Sequence, residues 1–177
     1  EQCRILHFGS LSLTTEPGRS TSLKLVRKAR SLGKMISYDP NWRPPLWPSQ
    51  EAGIAGMSEG LELCHLLKIS EEELALLTGT NSLAQGVEKL HALGILLIIV
   101  TLGPAGCVSS HQGRLCHHPT FDTKVVDTTG SGDSFWGAFL SQLVQNGFDT
   151  TEQLSTLSQA QLTEFCRFAN AAGSVCA

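Results

Sequence analysis

Helical spacing that gives way abruptly to an unbroken apolar run leaves few folds open to this chain. In "SLAQGVEKLHALG", Leu83, Val87, Leu90 and Leu93 recur at helical intervals, and "ILLIIVTLG" follows at once. An apolar run that short reads as a strand covered on both faces, which is what a parallel sheet flanked by helices provides. The same succession occurs upstream. "RILHFGS" reads as a strand, "STSLKLVRKARSLG" as a helix closed by Gly33 with Leu25, Ala29 and Leu32 on one face, and "KMISYDPN" as the next strand. "LCHLLKIS" reads as a further strand, after which Ser70 and Glu73 stand at capping-box spacing before "ELALLTG". Strands alternating with helices predict an α/β domain on a largely parallel sheet.

Downstream, "GCVSSHQGRLCHHP" alternates around Gln112 and Gly113 like a hairpin; a long helix is expected after Asp133, and "SQAQLTEFCRFANAAGSV" supplies the last one. In open α/β sheets ligands bind beyond the carboxyl ends of the strands. Three polar clusters fall there: Asp39 to Arg43, Ser70 to Glu73, and Thr101 to Gly106.

Composition removes several function classes. The 177 residues are 41% hydrophobic, and 13 basic against 16 acidic side chains give a net charge of −3. There is no basic run of the kind nucleic acid requires. "GILLIIV" is too short to cross a bilayer, and no signal-peptide-like start precedes it. Cysteines 3, 64, 107, 116, 166 and 176 form no C-x-x-C pair and no zinc spacing, so the expectation is reduced, mostly buried thiols in a cytoplasmic protein. The six histidines form no ligand pattern. The start at "EQCRILHFGS" and the stop inside an apolar helical pattern lead us to expect a piece of a longer domain.

"VVDTTGSGDSFWGAFL" carries the most chemistry. A dinucleotide fingerprint would need glycine at Phe135, and a Walker loop would need Lys-Ser/Thr after the glycines. What remains is a turn opening a helix, where unpaired N–H groups and the macrodipole favour an anion. A carboxylate beside such an anion hole suits phosphoryl transfer to an alcohol: the amides neutralise the moving phosphoryl group and the acid orients the attacking hydroxyl. By spacing alone Asp133 serves equally as a helix cap. In "DPNWRPPLW" the prolines stiffen a loop from which Asn41 and Arg43 project; Arg43 either grips phosphate or sugar oxygens or pairs with Asp39. Glu71 and Glu72 read as a solvated helix start, whereas Glu73 can steer a hydrated Mg²⁺. "TLGPAG" is either a plain turn or bare backbone admitting a nucleotide.

Taken together, these segments resemble the PfkB (ribokinase-like) family of sugar kinases, and among them the bacterial fructokinases. "DTTGSGDSFWGAF" is similar to the family's D-T-x-G-A-G-D signature, and "SYDPNWRPPLWPS", "KISEEELALLTG", "VTLGPAGC" and "FANAAGSV" occur in the family's order across essentially the whole chain. The resemblance implies a ribokinase-like three-layer sandwich, here a partial domain: residues 1–177 as the carboxyl-terminal part of the kinase domain.

It also implies roles. Asp133 would be the catalytic base, with backbone amides of Gly130, Ser131, Gly132 and Asp133 as anion hole; Ser131 replaces the usual alanine, a change expected to matter little because the hole uses backbone. Asp127 and Thr129 would border a monovalent-cation site such as K⁺, and Glu73 would support Mg²⁺ through water. Asn41 and Arg43 would face the sugar or the transferred phosphate. Thr101, Gly103 and Gly106 would line the ATP site, with Asn170 near the adenine. The implied reaction is ATP-dependent phosphorylation of a sugar hydroxyl, D-fructose to fructose 6-phosphate. Alternatives are another acceptor (2-keto-3-deoxygluconate, ribose or a nucleoside) or a nucleotide-binding module without catalysis. Small-molecule sugar and ATP are the expected partners, with no nucleic acid or membrane, and a homodimeric parent is compatible with the family. The family's glycine-rich sugar-binding segment and β-sheet lid are not in this chain, so alone it is expected to be weakly active or inactive.

Overall fold

The computed structural model describes residues 3–177. Strands β1 (Ile5–Gly9), β2 (Met35–Asp39), β3 (Leu66–Ser70), β4 (Leu97–Thr101), β5 (Cys107–His111) and β6 (Arg114–His118) follow one another in that order in a six-stranded sheet. β1, β2 and β3 are parallel, with Gly9 beside Asp39 and Tyr38 beside Leu67. The helices are α1 (Gly18–Ser31), α2 (Gln50–Leu61), α3 (Glu71–Thr78), α4 (Leu83–Ala92), α5 (Ser131–Gln145), α6 (Thr151–Leu154) and α7 (Gln159–Cys176). The chain divides into two compact units, one up to Ile98 and one from Ile99 onward.

In the first unit the parallel strands are apolar because both faces are covered: Met35, Ile36, Leu66, Leu67 and Ile69 are fully buried. Each buried aliphatic side chain contributes roughly 1.5–3 kcal/mol relative to exposure. α1 buries Leu23, Val26 and Ala29, while Leu25 and Leu32 lie 58% and 59% exposed. This corrects the expected face. α1 carries two apolar stripes that share Ala29, and packing selects the one that brings Leu23 into a cluster with Leu13, Trp47 and Met57. Likewise Val87 and Leu90 of α4 are buried, whereas Leu93, beyond the helix end, is exposed.

α2 lies outside the sequence reading. Its three glycines explain both its weak pattern and its purpose: a Cβ at Gly53, Gly56 or Gly60 would overlap the rings of Trp42, Trp47 and Tyr38 respectively. The helix gives up apolar side chains to let three aromatic rings lie against its backbone. Trp42 and Trp47 stack with centroids 6.5 Å apart.

The second unit pairs β5 with β6 through Gln112 and Gly113, whose φ values of 51° and 73° are those of a tight hairpin turn. α5 packs against α7. Trp136 and Phe139 stack at 5.2 Å, and Phe148 meets Phe165 edge-on at 6.0 Å. All six thiols are free; Cys64, Cys107 and Cys166 are buried, Cys116 is half-buried, and Cys3 and Cys176 are exposed, so fewer are buried than expected. Among the described residues no helix is long and apolar enough to cross a membrane.

Candidate active site

In the first unit the candidate residues gather at the carboxyl ends of β2 and β3. Because Tyr38 pairs with Leu67, the next step along both strands brings Asp39 beside Lys68, and Lys68 Nζ donates to Asp39 Oδ2 at 2.6 Å with both residues buried. The expected pairing of Arg43 with Asp39 is therefore not formed. Asp39 pairs with Lys68, and Arg43 is exposed with Nη1 donating to the Trp42 carbonyl. The lone lysine inside "LLKIS" was the available signal, since a charge within a buried strand requires a partner.

Beyond Asp39 the chain turns sharply. Asn41 adopts φ 50°, in the left-handed region that Asn tolerates better than most residues. Ser10 donates its hydroxyl to the Pro40 carbonyl, anchoring the turn from β1's end. The turn is also held from α3. Ser70 caps that helix, its Oγ accepting from Glu73 N at 3.2 Å, while Glu73 Oε2 accepts from Ser70 N at 2.8 Å: the capping box expected from spacing. The other oxygen, Oε1, accepts from Trp42 N at 2.6 Å. Glu73 is thus buried and joins two backbone amides, one of them inside the Asn41–Arg43 turn. Sequence spacing identified the cap and missed the second bond.

The second unit holds the remaining candidates. α5 begins at Ser131, three residues earlier than expected, and places Asp133 exposed in its first turn. Its N-cap, Gly130, has φ 80°, a conformation glycine adopts without strain, and no side chain caps the helix. The first intrahelical donor is Ser134 N, to Gly130 O at 2.8 Å. Ser131 N is turned back to Thr128 O at 3.1 Å, so the amides that open forward at this helix mouth are those of Gly132 and Asp133. The Ser131 hydroxyl instead donates to Gly173 O of α7 at 2.8 Å.

Upstream, Asp127 Oδ1 accepts from Thr129 N at 2.9 Å and Thr129 Oγ1 at 2.8 Å. These bonds, the backbone one foremost, hold its carboxyl below the ordinary carboxylate range. An exposed, ionised carboxylate beside a threonine is an oxygen-rich donor set of the kind hard cations prefer.

Thr101 ends β4, and the short 3₁₀ turn Gly103–Ala105 follows. Gly103 is exposed at φ 57° with nothing within 4 Å of where a Cβ would stand. Gly106 differs: a Cβ there would overlap His118 O and lie 2.8 Å from Thr120 N. Its bareness admits the chain's own backbone. Asn170 is buried on α7, and its Nδ2 donates to the carbonyls of His118 and Pro119, both at 3.1 Å. The amide donors of Asn170 therefore fix the end of β6, the strand end that also closes over Gly106.

Comparison with known proteins gives a consistent picture. The sequence profile of the pfkB family carbohydrate kinases matches residues 1–177. The chain is 38% identical over 180 residues to a probable fructokinase-5 of Arabidopsis thaliana, covering 99% of this chain and 53% of that protein. Among solved structures it is similar to fructokinase from Vibrio cholerae O395 in its fructose-, ADP- and calcium-bound form, with TM-score 0.86 and 29% identity over 98% of this chain and 54% of that one. It is also similar to aminoimidazole riboside kinase from Salmonella enterica bound to aminoimidazole riboside and an ATP analogue, with TM-score 0.82 and 28% identity over 99% and 56% of the two chains. The chain spans about half the length of the curated relatives it matches.

Proposed function

Because this chain belongs to the pfkB family of carbohydrate kinases, we propose that it supplies the base and the anion hole of an ATP-dependent sugar kinase, with D-fructose as acceptor and fructose 6-phosphate as product. One observation carries the reading: Asp133 stands exposed in the first turn of an uncapped helix, three residues after Gly130, the N-cap glycine in the left-handed conformation. A carboxylate that only capped the helix would precede that turn and bond its amides; Asp133 lies inside the turn.

The chemistry follows from that placement. The acceptor hydroxyl is oriented by the Asp133 carboxylate, which takes its proton as the new O–P bond forms and the bond from the γ-phosphorus to the β-phosphate oxygen breaks. Charge on the transferred group is met by the Gly132 and Asp133 amides and the positive end of α5. Arg43, exposed and always charged, is the first unit's candidate for a phosphate or sugar oxygen, with Asn41 beside it. Gly103 offers bare backbone to the nucleotide, with Thr101 beside it.

Cations fit less uniformly. Mg²⁺ accompanying ATP would neutralise phosphate charge. Glu73, turned inward to two amides, suits a water-mediated contact at most, so no step is assigned to it. Asp127 and Thr129 have the donors for a monovalent cation. Fructose as acceptor rests on the fructokinase relatives; a riboside acceptor is the second reading, supported by the likeness to the riboside kinase.

The test is an acceptor panel with ATP and the full-length enzyme, together with Asp133→Asn. The expected outcome is turnover with fructose, reduced by about 10²–10⁴-fold in the variant, with ATP affinity nearly unchanged. Full activity in Asp133→Asn removes Asp133 as base, and ATP binding without turnover on any acceptor favours a non-catalytic nucleotide-binding module.

A further inference from the structure

We infer that Trp42 is a positioning residue: clamped at its amide by Glu73 and at its indole by Gly53, it sets the direction in which Asn41 and Arg43 leave β2. The inference rests on the proposed role of Asn41 and Arg43 and adds a device for aiming them.

Three observations in the first unit carry it. Glu73 Oε1 accepts from Trp42 N at 2.6 Å, the shorter of that carboxylate's two backbone bonds. A Cβ at Gly53 would overlap Trp42 Cζ3 and stand 2.5 Å from Cη2, so the indole rests directly on the α2 backbone. On either side of Trp42 are a residue at φ 50° and an exposed guanidinium. A residue held both at its backbone amide and at its ring passes its orientation to its immediate neighbours, because a shift of one peptide plane turns the flanking Cα–Cβ bonds with it. The base of the turn is fixed separately by Lys68 on Asp39 and Ser10 on Pro40. The clamp therefore governs its outward part.

Glutamine at 73 is a sharp probe. Glu73 accepts two N–H donors, one on each oxygen, whereas a glutamine amide accepts on one side and presents N–H₂ on the other. Glu73→Gln is isosteric, yet it must release either Ser70 N or Trp42 N. Gly53→Ala attacks the other end, and Trp42→Phe removes the indole atoms that the new methyl would overlap.

In full-length protein labelled with ¹⁵N-tryptophan, the backbone amide signals of Trp42 and Trp136 are assigned by substitution, Trp136 serving as control. In Glu73→Met, which removes both acceptors, the Trp42 amide is expected to exchange at least tenfold faster, with Trp136 unchanged; in Glu73→Gln either Trp42 or Ser70 is expected to do so. In the full-length enzyme, Gly53→Ala is expected to lower kcat/KM for the sugar about tenfold at unchanged KM for ATP. Adding Arg43→Ala is then expected to cost less than in the parent background, and Gly53→Ala/Trp42→Phe to recover most of the loss. Unchanged Trp42 exchange in Glu73→Met overturns the clamp, as does full additivity of Gly53→Ala with Arg43→Ala. So does a Glu73→Met defect relieved by raising Mg²⁺ with Trp42 exchange unaltered. If no acceptor is phosphorylated at all, the functional reading falls while the exchange measurement still decides the clamp.

Discussion

The Ser131 hydroxyl donates to the Gly173 carbonyl at 2.8 Å, joining the first turn of α5 to the last turns of α7. A Cβ at Gly173 would lie 3.3 Å from Ser131 O and 3.4 Å from both Phe135 Cβ and Ser131 Oγ. Close approach of the two helices thus depends on a small residue on α7 and is fastened by a hydroxyl on α5. The serine that the sequence reading treated as a neutral replacement for alanine has its own structural task, performed by its side chain.

Ser131→Ala is therefore expected to lower stability by about 1 kcal/mol, the usual net worth of one hydrogen bond, without altering nucleotide affinity. Gly173→Val, which adds bulk where a single Cβ is already tight, is expected to cost roughly 1–3 kcal/mol. Thermal denaturation of the two variants checks the order, and an equal or greater loss in Ser131→Ala would reject it.

A second prediction concerns Lys68 and Asp39, bonded at 2.6 Å with side chains 11% and 6% exposed. Removing one member of so buried a pair leaves a charge without its counterion and costs about 3–5 kcal/mol, whereas removing both costs less. Lys68→Met is accordingly expected to be more destabilising than Lys68→Met/Asp39→Asn. Denaturant unfolding of these two and of Asp39→Asn gives the comparison, and additive losses would mean that neither group is the other's main partner.

The contrast between legible and hidden features has a physical basis. Local rules were enough for the α3 capping box, the Gln112–Gly113 hairpin and the buried β4, because each is fixed by residues within a few positions of one another. The α/β class and its mostly parallel six-stranded sheet followed from the alternation of those elements, and the resemblance to fructokinases is matched by the relatives. α2 was hidden because Gly53, Gly56 and Gly60 erase an apolar stripe whose partners are rings elsewhere in the chain. The bonds from Glu73 to Trp42 and from Lys68 to Asp39 span 31 and 29 residues and depend on strand register. The roles of Gly106 and Asn170 were equally non-local: both serve the end of β6, which no spacing rule connects to them.

The last prediction is a pH dependence. Ile36 N donates to His65 Nδ1 at 3.1 Å while His65 N donates to Ile36 O at 2.9 Å, so the folded chain needs an Nδ1 without a proton. Burial first, and the nearby Arg30 charge second, hold the His65 imidazole below its ordinary value of 6.5. His118 is shifted the same way by burial and then by His117, with Nε2 bonded to Ser109 Oγ at 2.8 Å. Between 6.5 and the lower folded values the unfolded state carries more protons than the folded one. Stability is then fully present above pH 6.5, declines as pH falls through that window, and levels off, for these groups, below the folded pKa values. Thermal midpoints measured from pH 7.5 to 5.0 are expected to fall with acidity. In His65→Asn, which keeps an acceptor near Nδ1 without titrating, the slope is expected to be shallower, and His118→Gln should flatten it further. An unchanged slope in the double variant would assign the acid sensitivity to other groups.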